Sequence, residues 1–406
     1  MTPPRRFTEL AAALAALLFL LAWAALHTAW YDDGEIVDIP VYASYGNAIQ
    51  DGAVPYRDIR PEYPPGALPA FVVPALLTDD EDGFRRIFES MMALFGVATV
   101  LLAAVTLRGL RASRRRTAAA LALVAAFPLL LGSVVLTRFD LYPAALLLAA
   151  LAALVHGRDR LGFGLLGAAV AVKLYPAVLV PLALAYVWRR RGRREALTGL
   201  AVCAAVVALV FVPFLVVAPD GVAHSLGRQL SRPLQIESLG SALFLAAHHL
   251  FGLEVEMRSG HGSQNLHATG TVLAAGVLSL VQIGVLVWIW LRRPGSKEEL
   301  VRWSAAALVA FVALGKVLSP QFLIWIAPVV PLVAGRRGLW ASALLAGALV
   351  TTQLWFPARY WDLVSGLAAV PSALVLVRDL LLVAVLVVLV GRRRRHHSDP
   401  APTDQG

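Results

Sequence analysis

The sequence predicts an all-α polytopic membrane protein with about twelve transmembrane helices and a long first extracytoplasmic loop. The chain has 406 residues, of which 59% are hydrophobic and 15% are charged, and its mean hydropathy is +0.71. Its basic residues occur in short clusters between apolar runs, as they do in the cytoplasmic loops of membrane proteins. This distribution accounts for the net charge of +10. We therefore predict contacts with membrane lipids and no nucleic-acid partner.

The first apolar run covers residues 10–30, and we predict that it is a retained helix. It is long enough to span about 30 Å of hydrocarbon, and no clear small-residue cleavage site follows it. A removable signal peptide is therefore not expected. The single cysteine, Cys203, lies in a later apolar run. A disulfide framework and a cysteine metal site are excluded.

The basic clusters set the predicted topology, because placing each of them in the cytoplasm puts both termini inside. Transmembrane spans are then expected near residues 9–29, 85–108, 117–135, 141–156, 161–173, 174–188, 196–217, 270–292, 302–316, 319–334, 338–354 and 371–391. Residues 65–77 must form a short surface-lying or re-entrant helix, and the run 162–188 must break near Lys173-Leu174-Tyr175-Pro176 and turn back. We expect one membrane domain at residues 1–391 and a basic cytoplasmic tail at residues 392–406.

Polar residues collect in the predicted extracytoplasmic segments, chiefly a first loop at residues 30–84 and a second large loop at residues 218–269. Within the first loop, residues 31–66 concentrate carboxylates, tyrosines and turn residues. A membrane protein keeps unpaired carboxylates out of hydrocarbon, so this loop is either a solvated connector or a built site, and its composition favours a site. Nucleotide sugars and ATP are absent on that side, and no phosphate-cradling glycine loop occurs. The substrate is therefore expected to be lipid-carried or extracellular.

Lysine is rare in this chain and occurs only as Lys173, Lys297 and Lys316. Lys173 and Lys316 lie at the outer ends of predicted spans. Because a compact ammonium binds phosphate as a point charge, we predict that these two lysines hold an anionic lipid head group. The alternative is that they extend from the helix ends to the membrane interface.

Several short motifs follow one another in a recognisable order along most of the chain. They are Asp38-Ile-Pro-Val-Tyr42, Asp51-Gly52, Pro55-Tyr56, Glu62-Tyr63-Pro64-Pro65, Arg138-Phe139-Asp140 with Tyr142-Pro143, Lys173-Leu174-Tyr175-Pro176, Arg232-Pro233-Leu234-Gln235-Ile236-Glu237-Ser238 and Lys316-Val317-Leu318-Ser319-Pro320-Gln321-Phe322-Leu323-Ile324-Trp325. The ordered set resembles the polyprenyl-phosphate-sugar-dependent glycosyltransferases of the GT-C superfamily, and among them glycosyltransferase family 87, which contains mannosyltransferases.

The resemblance implies a GT-C-like helical bundle in a bacterial cell membrane. Such enzymes transfer a sugar, usually mannose, with inversion from a polyprenyl-phosphate donor to a glycolipid or glycan acceptor on the outer face. Asp38 is the residue that fits the general base, because a sugar hydroxyl becomes nucleophilic when a nearby carboxylate takes its proton. Cations would stabilise the departing phosphate, a role that we assign to Lys173, Lys316, Arg138 and Arg232. Substrate binding is assigned to Tyr42, Tyr56, Glu62, Asp140, Glu237 and Gln321.

We predict no cofactor and no metal site, with one alternative in the first loop. Asp32, Asp33 and Glu35 are hard oxygen ligands that would suit Mg²⁺ or Mn²⁺. Clustered acids at a protein surface are more often only solvated, and we favour that interpretation here.

The second large loop carries three further expectations. Residues 239–253 are amphipathic and should form a surface helix. His261 and His267 lie among Gly, Ser and Asn, and we expect them in a mobile loop without zinc-ligand spacing. Glu237 either binds acceptor hydroxyls or forms an ion pair with Arg232.

Two other functions fit a similar architecture. A secondary transporter also has about twelve helices, internal termini and broken helices, but no repeat relates the two halves of this chain and its polar residues collect on one face. An arabinofuranosyl, glucosyl or other hexosyl transferase would keep the same scaffold and the same kind of carrier.

The topology yields a first testable prediction, made in a variant without Cys203. A cysteine introduced at position 51 should react with a membrane-impermeant thiol reagent added outside, whereas one at position 192, inside the basic run 189–194, should not, because basic clusters stay in the cytoplasm. The reverse labelling pattern would contradict the extracytoplasmic placement of every predicted site residue.

Overall fold

The computed structural model describes residues 5–28 and 37–391, and these residues are mostly helical. The helices are α1 (Arg5–Ala25), α2 (Ile39–Gln50), α3 (Pro69–Leu77), α4 (Glu81–Gly109), α5 (Arg114–Leu131), α6 (Leu141–Val155), α7 (Asp159–Val172), α8 (Val180–Arg191), α9 (Arg193–Val217), α10 (Pro219–Leu230), α11 (Leu239–Phe251), α12 (Thr271–Trp290), α13 (Lys297–Ala313), α14 (Leu323–Ile326), α15 (Gly335–Gln353), α16 (Tyr360–Val364) and α17 (Ala369–Val390). Strands β1 (Glu256–Gly260) and β2 (Ser263–His267) pair antiparallel as a hairpin.

Five helices in the described part of the chain are long and apolar enough to cross a membrane: α1, α4, α9, α12 and α17. The predicted membrane class agrees with this, but the predicted count of twelve spans is not confirmed. Helices α6 and α7 have 15 and 14 residues, which gives each a length of about 21–23 Å. Helices α9 and α12 expose most of their apolar side chains, as expected for helices that face lipid.

Two apolar runs are interrupted in the structure, and only one of these interruptions was predicted. The break at Lys173 is confirmed: α7 ends at Val172, Lys173 is extended, and a 3₁₀ turn at Tyr175–Leu179 leads into α8. The predicted span at residues 319–334 is wrong as a continuous helix. It consists of the short α14 between 3₁₀ turns at Pro320–Phe322 and Val330–Leu332, because its prolines cannot donate backbone hydrogen bonds.

Both predicted extracytoplasmic loops contain regular structure. In the first loop, α2 begins directly after Asp38, and α3 confirms the short helix expected at residues 65–77. In the second, α10 precedes α11, which confirms the expected helix at residues 239–253. The mobile loop expected around His261 and His267 is instead the β1–β2 hairpin, since Gly262 adopts a φ of +68° and permits the tight turn.

Some predictions fall on residues that the structure does not describe. The metal alternative at Asp32, Asp33 and Glu35 and the basic tail at residues 392–406 lie outside the described residues and stay predictions.

The end of α17 is held by arginines from two other helices. Arg302 on α13 donates to the carbonyl oxygens of Leu389 and Gly391, and Arg337 on α15 donates to those of Val388 and Gly391, at 2.7–3.0 Å. The last carbonyl groups of a helix have no partner within it, and cations near that end are favourable. These contacts therefore cap the final helix.

Close packing of α2 against α3 fixes the position of Asp38, and it yields a prediction about stability. A methyl group on Gly46 would lie 2.3 Å from the backbone oxygen of Phe71 and 2.9 Å from Cβ of Ala75. Gly46→Ala should therefore destabilise the protein by about 1–3 kcal/mol, the usual cost of overpacking. Thermal unfolding in detergent measures this. Gly276→Ala in α12 is the matched control, because nothing lies within 4 Å of that position; equal melting temperatures for the two variants would contradict the close packing.

Candidate active site

Asp38 and Arg138 form the centre of a polar cluster between the first loop and the start of α6. Asp38 lies at the N-terminal end of α2, where the first residue of the helix is followed by Pro40. Its Oδ2 is 3.1 Å from Nε of Arg138 and accepts a hydrogen bond from the hydroxyl of Tyr42 at 3.3 Å. The Asp38 side chain is 31% exposed, whereas that of Arg138 is 5% exposed. Arg138 and Tyr42 thus fix the orientation of the Asp38 carboxylate, and its exposed side remains accessible to a substrate.

Arg138 is itself held by residues from distant parts of the chain. Its Nε also donates to Oε1 of Gln321 at 2.8 Å, and its Nη1 donates to the backbone oxygen and hydroxyl of Thr137. A guanidinium with several fixed partners keeps one orientation. Three predicted site residues, Asp38, Arg138 and Gln321, are therefore in direct contact.

A second ion pair lies next to this cluster and is more deeply buried. Lys173 Nζ donates to Oδ1 of Asp140 at 2.6 Å, and the indole N–H of Trp325 donates to the same oxygen. The Asp140 side chain is 0% exposed. Lys173 belongs to the extended break after α7, Asp140 precedes α6, and Trp325 belongs to α14. This contact joins three helix ends.

Aromatic rings surround the ammonium group of Lys173. Its Nζ lies 4.6 Å from the ring centre of Phe139, 5.2 Å from that of Trp325 and 5.8 Å from that of Tyr63. Such cation–π contacts stabilise a desolvated cation. Tyr63 also packs edge-on against Tyr42, with 5.9 Å between the ring centres. We call the rings of Tyr42, Tyr63 and Phe139 the aromatic wall; it connects the two ion pairs.

A third group of charges centres on Glu62. Its Oε1 is 3.1 Å from Arg228, at the end of α10, and its Oε2 is 3.7 Å from Arg232. Burial lowers the pKa of Arg232 from its ordinary value, while Glu62 and, less strongly, Asp38 oppose this shift. Arg232 therefore lies within electrostatic reach of both carboxylates.

Glu237 is buried beside the last helix and does not pair with Arg232, so the predicted ion pair between these two residues is wrong. Its side chain accepts a hydrogen bond from Gln235 Nε2 at 2.8 Å, and Arg378 of α17 donates to its backbone oxygen. Burial raises the pKa of Glu237 to about 8, although the nearby Arg378 and Arg138 lower it. Burial therefore favours the protonated form of this carboxyl group, which can donate a hydrogen bond.

The remaining predicted residues lie at the edge of the site. Tyr56 is buried and adopts a φ of +68°; its hydroxyl donates to the backbone oxygen of Tyr63, and its ring packs against Phe214. The backbone oxygen of Lys316 accepts a hydrogen bond from the backbone N–H of Gln235 at 3.0 Å. This contact places the segment after α13 beside Glu237. Tyr63, Trp325 and Arg228 were not among the predicted site residues. Tyr63 and Trp325 lie inside the motifs quoted above, but no signal marked Arg228.

The sequence model of glycosyltransferase family 87 matches residues 62–320, more than half of the chain. The chain belongs to glycosyltransferase family 87. With its apolar helices, it is a membrane glycosyltransferase. None of the curated proteins compared with the chain gives a significant match.

The match to the family covers most of the site residues of this glycosyltransferase. Within residues 62–320 lie Glu62, Arg138, Asp140, Lys173, Arg232, Glu237 and Lys316. Asp38 and Tyr42 precede the matched segment and Gln321 follows it. The placement of Asp38 in the site therefore depends on its contacts with Arg138 and Tyr42.

The buried ion pair of Asp140 and Lys173 yields a prediction about stability. Asp140→Asn leaves the buried ammonium without its countercharge, so the protein should lose about 3–5 kcal/mol. The double variant Asp140→Asn with Lys173→Met removes both charges and should recover part of this loss. Thermal unfolding of the single and double variants in detergent measures the coupling. A double variant less stable than Asp140→Asn would show that the pair is not coupled in this way.

Proposed function

We propose that this protein transfers a sugar, with mannose as the first candidate, from a polyprenyl-phosphate donor to a glycolipid or glycan acceptor on the outer face of a bacterial membrane. The transfer inverts the anomeric centre, and Asp38 acts as the general base. One observation carries the proposal: a partly exposed carboxylate is held by Arg138 and Tyr42 at the edge of a cluster of cations and aromatic rings.

The choice of Asp38 as base follows from access and from existing contacts. A general base must come within about 3 Å of the proton that it takes. Asp140 is fully buried, and its Oδ1 already accepts from Lys173 and Trp325. Glu237 is also buried, and burial raises its pKa and favours its protonated form, which cannot serve as a base. Asp38 is the most exposed of the three and is ready to accept a proton from an acceptor hydroxyl.

The cations nearby suit a phosphate leaving group. As the sugar–phosphate bond breaks, negative charge grows on the phosphate oxygens, and fixed cations in a site of low dielectric stabilise that charge. Four side chains are candidates: Arg138 is 5% exposed, Lys173 is 13% exposed, Arg232 is 15% exposed, and Lys316 is the fourth. In this mechanism the partly exposed ring of Tyr63 contacts the sugar face, and the buried rings of Tyr42 and Phe139 pack behind it.

The side of the membrane follows from the charge distribution of the sequence. With the basic clusters in the cytoplasm, both termini are internal and Asp38 is extracytoplasmic. The donor is then a lipid-carried sugar, and no cofactor takes part in the mechanism.

A cell-free assay tests the proposed reaction. Membranes that contain the protein are supplied in turn with polyprenyl-phosphate mannose, glucose and arabinofuranose, each labelled in the sugar. The proposal expects a labelled glycosidic product from the mannose donor. A product from another donor alone would assign the protein to that sugar. The absence of any product, with movement of label across sealed vesicles, would indicate a transporter instead.

The sharpest prediction concerns Asp38. Asp38→Asn keeps the shape and much of the hydrogen bonding but removes the basicity, so sugar transfer should fall by about 10²–10⁴-fold while donor binding persists. Turnover of labelled donor by the purified protein measures this.

Asp51→Asn and Asp58→Asn are matched controls for this measurement. Both residues are exposed on the same loop, and Asp58 pairs only with its neighbour Arg57 and the Val54 amide among the described residues. The predicted loop acids Asp32 and Asp33 should behave in the same way. Near-normal activity of Asp38→Asn, with loss of activity in Asp58→Asn or Glu62→Gln, would place the base elsewhere.

A further inference from the structure

Two arginines converge on one carboxylate beside the proposed catalytic site. Arg228 lies in the last turn of α10 and Arg232 follows just after the helix ends. Each contacts a different oxygen of Glu62, Arg228 at 3.1 Å from Oε1 and Arg232 at 3.7 Å from Oε2. We call Arg228 and Arg232 the arginine pair. Together with Glu62 they carry a net charge of +1.

The hydrogen bonding of the arginine pair is incomplete. Arg232 Nε is buried and has no hydrogen-bond partner among the described residues. Burial also lowers the pKa of Arg232, and Glu62 opposes this shift. A buried donor without a partner costs free energy. The phosphodiester of a lipid-linked sugar offers two terminal acceptor oxygens that match the forked donors of arginine, and the carrier monophosphate released by transfer offers three.

Glu62 is placed so that its side chain, rather than its backbone, can change position. Its backbone oxygen accepts from Gln229 Nε2 at 3.0 Å, so α10 fixes the main chain. The carboxylate is 23% exposed, and the tip of the β1–β2 hairpin closes over it: a methyl group on Gly262 would lie 2.8 Å from both carboxylate oxygens. Release of the two arginines therefore requires movement of the Glu62 side chain and not of its main chain.

The arginine pair and Glu62 lie next to the proposed catalytic site. The residue after Glu62 is Tyr63, whose ring lies beside Lys173 and Tyr42. The carboxylate of Asp38 acts on the pKa of Arg232 across the same space. An anion bound at the arginine pair would therefore lie close to the proposed sugar site.

We propose that Arg228 and Arg232 form a phosphate-binding site that Glu62 occupies as an internal competitor, and that the phosphate of a lipid-carried donor displaces Glu62. This inference rests on the proposed function for the source of the phosphate. It gives Arg228 a binding role, and it makes Glu62 a residue that weakens donor binding instead of one that contacts the sugar.

Binding of farnesyl phosphate tests the proposal without any transfer reaction. The full chain is placed in nanodiscs of phosphatidylcholine, and affinity is measured by thermophoresis. Glu62→Gln removes the competing charge and should bind about tenfold more tightly, whereas Arg228→Gln and Arg232→Gln should each bind about tenfold more weakly. Glu62→Asp, which withdraws the charge by one methylene, should show a smaller gain. If Glu62→Gln does not fold, the affinity of Glu62→Asp for farnesyl phosphate tests the proposal instead.

The hairpin offers a matched control for the charge change. Glu256→Gln also removes a carboxylate paired with an arginine, but the Glu256–Arg258 pair is exposed on both sides, so its farnesyl phosphate affinity should be unchanged. Unchanged or weaker binding by both Glu62 variants would overturn the proposal, because Glu62 would then organise the arginines instead of competing with a ligand. A tenfold gain for Glu256→Gln would also overturn it, since the effect would not be local.

Two further measurements identify the source of the phosphate and separate this inference from the proposed function. Inorganic phosphate, and nanodiscs containing phosphatidylglycerol, should compete only weakly with farnesyl phosphate; equal competition by either would overturn the assignment to a lipid-carried donor. If wild-type protein binds farnesyl phosphate with this charge pattern but transfers no sugar, the proposed reaction fails and the phosphate site stands. If sugar is transferred and the Glu62 variants bind as wild type, only the present inference fails.

Discussion

The ion pair between Lys173 and Asp140 is the contact on which the polar centre of this protein depends. It joins the break after α7, the start of α6 and, through Trp325, the short helix α14. A charge buried among hydrocarbon and aromatic rings needs its countercharge close by. The pairing therefore holds these three chain segments next to one another. Arg138 and Phe139, immediately before Asp140, are thereby placed against Asp38 and the aromatic wall.

The carboxylates of the site differ mainly in their access to solvent, and this difference separates their roles. Asp140 has no exposed surface and serves an ion pair, whereas burial of Glu237 favours its protonated form. Asp38 and Glu62 remain partly exposed and face arginines. Four acidic side chains within one cluster can therefore act as a structural anion, a hydrogen-bond donor, a base and a displaceable anion.

The sequence predicted the parts of this arrangement that depend on local chemistry. Proline and a polar residue within an apolar run revealed the break at Lys173, and the Asp38 and Arg138 motifs were recognisable as short patterns. The contacts between distant residues could not be predicted in this way. Arg228 and Glu62 are separated by 166 positions, and no local pattern distinguishes Arg228 from other surface arginines. The segment at residues 319–334 was misjudged because hydropathy records burial but not the missing donors of its prolines.

The capping of α17 has a practical consequence. Since arginines from α13 and α15 bind the carbonyl groups at the end of this helix, its termination at Val390 does not need a partner from the residues beyond Gly391. A fluorescent reporter fused to the C-terminus should therefore leave the last helix in place. Its signal would report the abundance and monodispersity of each variant without disturbing the distant Asp38 cluster.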